Sequence, residues 1–461
     1  MFNTAKYIKD YEIEGDIPKF TKVCNDVTKI VLPAMIEGFL VALVGLFDGI
    51  MVSGLGNNYT AAINITKQPI FFMICFITAL NIAVTTIVAR RRGEKDVDGC
   101  NNTIHTALIL SFILSIILSI IVFFSGRYIN MLMGAQADTI DLATSYLKII
   151  AAGFVFNALR LTMNACQRGL GKTSYSMVTN IVANLVNVFL NYILIYGNLG
   201  APKMGIEGAA LATVIGQGVA FLICLVSMLV GTEYLRLHIK KLFIRKENIN
   251  DIWKLFPSAM IEQALMRVGF ILFALIVNNL GTNATYVHGV CSDINSLMFT
   301  IADGFAIGTS AIVGHRLGEK RKDLAIVYAK VSMMLSFAVA IIIALIMVFL
   351  RGPLVELYQP RTEELFNQCK TIMLIGAITT LPQNIQWVLT GILRGSGDTK
   401  FTAFSSFVSV TLVRPIISFC LCYLTPLGII GAWIGMFIDQ GMRLGANIWR
   451  FKSRAWIRMD I

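Results

Sequence analysis

Long apolar runs, separated by short polar loops, dominate the sequence. Of its 461 residues, 56% are hydrophobic and 14% are charged, whereas an ordinary soluble domain carries about 25% charged residues. A helix needs about 20 mostly apolar residues to cross a bilayer, and runs such as 108–124 lack the alternation of a barrel strand. The composition excludes a soluble enzyme and predicts an all-α integral membrane protein.

Twelve apolar runs are long enough to cross the membrane. They cover about residues 30–53, 66–89, 102–125, 141–165, 175–197, 206–230, 251–279, 286–314, 324–350, 364–392, 401–423 and 428–449. The loops on one side hold most of the Lys and Arg residues, whereas those on the other side hold four. Because positive loops stay in the cytoplasm, we expect a multi-pass protein of the inner (plasma) membrane with both termini cytoplasmic. The net charge of +12 is then a topology signal and not evidence for a nucleic-acid partner.

The chain contains an internal repeat. The segment 34–37 recurs 225 positions later as 259–262, and 168–173 recurs as 394–399. The repeat predicts a cytoplasmic segment 1–29, an N-terminal six-helix bundle 30–232, a cytoplasmic linker 233–250 and a C-terminal six-helix bundle 251–461. Six spans per repeat make the repeats parallel, so the bundles should be related by a pseudo-two-fold axis along the membrane normal. Two bundles around a central cleft are typical of a transporter, and a monomer would suffice.

Acidic residues inside the spans are candidate functional groups, because a charge within a bilayer is costly. These are Glu37 and Asp48 in span 1, Glu262 in span 7, and Asp293 and Asp303 in span 8. Glu37 and Asp48 are 11 residues apart and share one helix face. Each acid is either functional or a satisfied buried group that fixes helix packing, and the sequence leaves both interpretations open.

Span 5 carries a stripe of asparagines. Asn180, Asn184, Asn187 and Asn191 follow one another at steps of 4, 3 and 4 residues, which places them on one helix face. Such a stripe forms interhelical hydrogen bonds or lines a hydrated cavity. If it lies beside Asp48, it forms an acid-and-amide pocket suited to a proton or a small cation such as sodium. Lys67 and Lys148 are close enough to span ends for their ammonium groups to reach the interface.

Motifs for catalysis, nucleotide binding or transition-metal binding do not occur in the sequence. The four histidines form no paired metal motif, and there is no P-loop or G-x-S-x-G motif. We therefore expect no enzyme activity and no cofactor. Without an ATPase module, transport energy should come from an ion gradient.

Several segments, taken together and in the order in which they occur, resemble one transporter family over nearly the whole chain. They are Asp48-Gly-Ile-Met-Val-Ser-Gly-Leu-Gly56, Gln68-Pro69, Arg168-Gly-Leu-Gly-Lys-Thr173, Leu393-Arg-Gly-Ser-Gly-Asp-Thr399 and Val413-Arg414-Pro415. The chain resembles the multidrug and toxic compound extrusion (MATE) family. The resemblance implies a cation-coupled (proton or sodium) antiporter that exports cationic amphipathic compounds by alternating access, with Asp48 matching the coupling acid of span 1.

Two sets of site residues follow from the residues and the resemblance together. The ion-coupling set is Asp48, Glu262, Glu37, Asn187 and Asn191. The substrate-cavity set is Asp48, Gln68, Asn184, Glu262, Asp293 and Asp303.

Two other functions stay open. A lipid-linked saccharide flippase of the same superfamily would need a basic cavity, which Arg160, Arg267 and Arg414 could supply. A narrow-specificity exporter of a metabolite or peptide would share the fold, and no motif excludes it.

Overall fold

The protein is built from long helices. The computed structural model describes residues 15–53, 55–231, 234–237, 246–358, 360 and 362–459, without the side chains at positions 46–50, 53 and 57. The helices are α1 Phe20–Ser53, α2 Asn57–Gly93, α3 Val97–Leu132, α4 Ile140–Gly169, α5 Thr173–Tyr196, α6 Gly205–Val230, α7 Lys246–Asn278, α8 Thr282–Gly318, α9 Lys322–Glu356, α10 Glu363–Gly395, α11 Thr399–Ser406, α12 Arg414–Tyr423 and α13 Ile429–Lys452. Two short 3₁₀ turns, Asn198–Gly200 and Ala455–Arg458, follow α5 and α13. The predicted all-α membrane fold is confirmed.

The helices match the twelve predicted spans in position, although α13 is less apolar than the other eleven. A π-helical segment, Phe407–Val413, joins α11 to α12, so that Thr399–Tyr423 forms one span of 25 residues. Eleven of the described helices are long and apolar enough to cross a membrane. The twelfth, α13, has 24 residues but is less apolar, because Asp439 and Arg443 lie in its interior.

The internal repeat is visible in the backbone. Helix α2 begins and ends 225 positions before α8, and α3 begins 225 positions before α9. The turns between these helices are also alike, since Lys95 and Lys320 both adopt a left-handed conformation with φ of 60° and 59°. A non-glycine residue seldom adopts this conformation, so the shared strain supports a common origin of the two turns.

The described residues form two compact units whose boundaries differ from the predicted bundles. The amino-terminal unit is Leu40–Phe256, and the carboxy-terminal unit joins the described residues up to Phe39 to Pro257–Ile461. The first half of α1 and the first turns of α7 thus each pack with the other half of the sequence. Of the predicted linker 233–250, most lies outside the described residues, and α7 already begins at Lys246.

Two polar contacts related by the repeat explain these boundaries. In the amino-terminal unit, Asp251 of α7 forms an ion pair with Arg91 of α2, at 2.8 Å between carboxylate and guanidinium. In the carboxy-terminal unit, Tyr328 donates to Asp26 of α1 at 2.8 Å and accepts from Arg316 at 3.1 Å. Asp26 and Asp251 are 225 positions apart, as are Arg91 and Arg316. The repeated acid therefore attaches the start of each leading helix to the other repeat.

Close helix packing in the carboxy-terminal unit depends on small residues. Gly391 and Gly395 of α10 face α8 so closely that a Cβ on either would lie 2.3 Å from a carbonyl oxygen, of Ala306 and Ser310 respectively. Small residues spaced four apart let membrane helices approach and gain dispersion contacts.

Both units carry exposed large apolar side chains, such as Phe124 in the amino-terminal unit and Phe349 in the carboxy-terminal unit, as expected for contact with lipid.

We predict that Gly391→Ala destabilises the protein, because the new methyl group would force α8 and α10 apart. Overpacking of this kind costs roughly 1–3 kcal/mol, and thermal unfolding in detergent measures it as a lower midpoint. The matched control is Gly289→Ala on α8, where a Cβ meets open space and alanine favours the helix. Equal midpoints for the two variants would contradict the close α8–α10 contact.

Candidate functional site

The amino-terminal unit holds a cavity of about 270 Å³, which we call the N-terminal cavity. It is lined by Gly45, Val52, Thr60, Ile63, Asn64, Thr66, Lys67, Ile70, Phe71, Tyr146, Asn191, Ala209 and Thr213. Apolar surface with a few converging polar groups is typical of small-molecule sites. Among the described lining side chains, Lys67 is the one charged group.

One wall of the N-terminal cavity is a single face of α2. Thr60, Asn64, Lys67 and Phe71 line it at steps of 4, 3 and 4 residues, which is the spacing of one helix face. Lys67, Asn64 and Phe71 are all exposed. The spacing in the sequence places them on one helix face, but only the structure shows that this face lines a cavity. Gln68, assigned from the sequence to the substrate cavity, is exposed one position further round α2 and is not among the lining residues.

The asparagine stripe of α5 divides between two environments. At one end, Asn180 accepts a hydrogen bond from Arg160, which also donates to Asn157 at 2.7 Å. At the other end, Asn191 donates to Asn187 at 3.4 Å. The stripe therefore combines interhelical bonding at Asn180 with a cavity wall at Asn191.

Thr213 of α6 links the stripe to the cavity. Its hydroxyl accepts a hydrogen bond from Asn187 at 3.2 Å, and both Thr213 and Asn191 line the N-terminal cavity. Asn191 is only 2% exposed. Asn184, which lies between Asn180 and Asn187 in the stripe, is partly buried. Its amide nitrogen has no hydrogen-bond partner within the described part of the chain. The sequence analysis did not identify Thr213, because a lone threonine on a small-residue helix carries no signal of its own.

Asp48 lies in α1, and its side chain is outside the described residues. The backbone at this position is helical. Gly45 and Val52, three residues before and four residues after it, both line the N-terminal cavity. Helical periodicity places position 48 on the face that these two residues share.

One buried ion pair of the carboxy-terminal unit is centred on Glu262. Glu262 is fully buried and accepts a hydrogen bond from Arg394 at 2.8 Å. It also accepts hydrogen bonds from the hydroxyls of Thr402, at 2.9 Å, and Ser406, at 3.4 Å. A buried carboxylate with a guanidinium and two hydroxyls has its charge and lone pairs satisfied. Arg394 stands in the repeated Arg-Gly-x-Gly segment, but that motif did not indicate its partner.

A second buried ion-pair cluster lies between α12 and α13. Asp439 is fully buried and accepts from Nε of Arg414 at 3.0 Å. Nε of Arg443, one turn along α13, lies 3.7 Å from the other carboxylate oxygen of Asp439. The side chain of Arg414 also lies over the ring of Phe270 at 5.3 Å. This arrangement supports a structural role for Asp439, since both arginines that flank it are themselves buried.

The remaining predicted residues lie elsewhere on the helices. Glu37 is half-buried on the part of α1 that belongs to the carboxy-terminal unit. On α8, Asp293 is exposed and Asp303 is half-buried. The N-terminal cavity thus contains Asn191 from the predicted sets, with Asn187 one hydrogen bond away.

We predict that Glu262→Leu destabilises the protein strongly, because it leaves Arg394 buried without its carboxylate. Breaking a buried pair from one side typically costs about 3–5 kcal/mol, whereas replacing both partners with apolar residues costs less. The double variant Glu262→Leu/Arg394→Leu should therefore unfold at a higher temperature than the single one. Asp141→Asn, which breaks the exposed Asp141–Arg127 pair, is the matched control and should change little. A single variant as stable as this control would contradict the closed pair.

Comparisons with known proteins agree with this fold. The probable multidrug resistance protein NorM of Thermotoga maritima is 25% identical over 97% of this chain and 96% of its own length. The multidrug resistance protein MdtK of Edwardsiella ictaluri is 27% identical over 91% of this chain and 93% of its own.

Solved structures are similar over almost the whole chain. An outward-facing multidrug resistance MATE family transporter of the MOP superfamily gives a TM-score of 0.88 at 20% identity and covers 96% of this chain and 100% of that one. A MOP superfamily transporter of Pyrococcus furiosus, whose binding pocket is described as having reversed polarity, gives 0.87 at 20% identity with the same coverage. At these identities the likeness shows the fold.

The family profile decides membership. The MatE profile matches residues 33–193 and 258–420, which form most of both halves of the chain. The order of the quoted motifs in the sequence, the repeat in the backbone and the solved structures all agree with this match. The chain therefore belongs to the MatE family, that is, the multidrug and toxic compound extrusion (MATE) family of membrane transporters.

Proposed function

We propose that this chain is a cation-coupled antiporter that exports cationic amphipathic compounds by alternating access. The relatives described above include multidrug resistance proteins, and the chain spans nearly their full length. The observation that carries the proposal is the N-terminal cavity, where the face of α1 that includes position 48 meets Asn191 and Thr213.

Coupling to an ion requires groups that can take up a cation and release it. We assign this to the Asp48 carboxylate, which can take a proton, and to the oxygens of Asn187, Asn191 and Thr213. Carboxylate, amide and hydroxyl oxygens are also the ligands that hard cations prefer, so the same set suits sodium. The Asn187–Thr213 hydrogen bond of 3.2 Å holds two of these groups in place.

Exchange follows if the ion and the substrate compete for one negative charge. A cationic substrate is attracted by the free carboxylate of Asp48, and binding a proton or sodium there removes that attraction. Each occupant stabilises the state that it binds more tightly, and only this difference in affinity can shift the conformational equilibrium. Uptake of the ion from one side of the membrane then releases the substrate on that side.

We propose that Glu262 is structural and does not couple. Its carboxylate already accepts from Arg394, Thr402 and Ser406, so a further cation would have to displace a buried guanidinium. Of the two interpretations that the sequence left open, the contacts of Glu262 therefore favour a satisfied buried group that fixes helix packing.

The flippase alternative needs a basic cavity, and the contacts of Arg160 and Arg414, two of its candidate arginines, argue against that use. Arg160 donates to Asn180 and Asn157, and Arg414 is paired with Asp439. These contacts favour the antiporter over the flippase. A narrow-specificity metabolite or peptide exporter would use the same cavity, and the range of transported compounds distinguishes it from a multidrug antiporter.

We propose that the protein is a monomer in the inner membrane with both termini in the cytoplasm.

We predict that a cationic dye accumulates in inside-out vesicles containing the purified protein when a proton or a sodium gradient is imposed. The gradients are applied separately, so the one that drives uptake identifies the coupling ion. Asp48→Asn should abolish gradient-driven uptake, because the amide keeps the size of the side chain but can neither take up a proton nor supply a negative charge to a cation.

Asp141→Asn is the control, since it removes an exposed acid of the same unit that does not line the cavity. It should transport like the wild type. Uptake under neither gradient, with a folded protein, would contradict the antiporter and favour the flippase or a narrow exporter. Full uptake by Asp48→Asn would contradict the coupling role of Asp48 but not the antiporter function.

A further inference from the structure

We propose that Lys67 makes the N-terminal cavity select amphipathic compounds that carry a carboxylate beside their cationic centre. This inference rests on the proposed transport function, since it concerns the substrates of the same cavity. It goes beyond that function by assigning one residue as a determinant of substrate charge.

The position of Lys67 carries the inference. It lines the N-terminal cavity and is exposed. No hydrogen bond or ion pair of its ammonium occurs among the described side chains. An ammonium group in the wall of a cavity attracts an anion that binds there.

Lys67 does not occupy a helix end. It follows the first residue of α2 by ten positions, about 15 Å along the axis at 1.5 Å per residue. The side chains one turn away on the same face, Asn64 and Phe71, line the cavity as well. The ammonium-bearing side chain is thus part of a cavity wall.

The surroundings of Lys67 define the rest of the ligand. Phe71, Ile63 and Ile70 supply apolar surface on the same helix, which suits an aromatic ring. At about 270 Å³ the cavity is slightly smaller than a typical drug site, so it holds a ring with its carboxylate as one part of a larger molecule. The cationic part of the same molecule would be directed to the α1 face of the cavity, where position 48 lies.

A pair of dyes that differ in one charge tests the inference. A rhodamine with a free carboxylate is a zwitterion, and its methyl ester is a cation with the same fluorophore. We expect Lys67→Gln to lower the ratio of free-acid to ester affinity by at least about tenfold, the value of one charge-assisted hydrogen bond. Ester binding should become tighter, because the variant removes a repelling ammonium, while Lys67→Arg should keep the ratio near that of the wild type.

Two measurements are made on the full chain. Equilibrium binding to the purified protein, by fluorescence polarisation, needs no gradient, and gradient-driven uptake into vesicles measures transport. The control variant is Lys148→Gln, which removes an exposed lysine of the same unit that lies over the Phe123 ring and not in the cavity. Its ratio should equal that of the wild type.

The outcomes separate the inference from the proposed function. An unchanged ratio in Lys67→Gln, with both dyes still transported, overturns the selectivity role and leaves the antiporter intact. Equal loss of both dyes in Lys67→Gln also overturns it, because a lysine that serves only as a counter-charge for the coupling acid would act on both alike. Failure of the wild type to transport either dye under any gradient contradicts the proposed function, and the inference with it.

Discussion

In the hydrocarbon interior of the membrane an unpaired backbone group or an unpaired charge is costly, and the structure of this protein follows from that constraint. Backbone groups are satisfied within helices, which is why the described chain consists of long helices joined by short turns. The buried carboxylates of Glu262 and Asp439 are each neutralised by arginines. Glu262 is paired with Arg394, and Asp439 is paired with Arg414 and Arg443. A charged group in the interior that faces a cavity is therefore a functional candidate, because it is not needed to neutralise another.

The two repeats have used this constraint differently. Both keep the left-handed lysine turn and the attachment of the leading helix through Asp26 and Asp251. In the described residues of both units, the buried polar groups are mostly amides and hydroxyls. The amino-terminal unit, however, places Thr66 and Asn191 in the wall of a cavity, whereas the carboxy-terminal unit adds the buried carboxylates of Glu262 and Asp439, which are paired with arginines. The two repeats thus share a scaffold but differ in their interior side chains.

Sequence periodicity predicted helices and helix faces well, but it could not pair the faces. The stripe from Asn180 to Asn191 lies on one face, as its spacing indicates. Its ends nevertheless differ, because Arg160 engages Asn180 while Asn191 reaches the cavity. Glu262 and Asp48 were both candidate coupling acids in the sequence. Only the contact of Glu262 with Arg394, 132 positions away, distinguishes a satisfied acid from a candidate coupling group, and no local pattern contains that distance.

The sequence by itself determined the membrane class, the span positions and the repeat. These depend on apolar length and on internal similarity, and both can be read along the chain. The tertiary structure decided where α1 and α7 change units, which acids are neutralised and which lysine lines a cavity. Each of these depends on which helix faces meet. A helix of the length of α1, 34 residues, has room for different partners at its two ends, and its sequence does not state which they are.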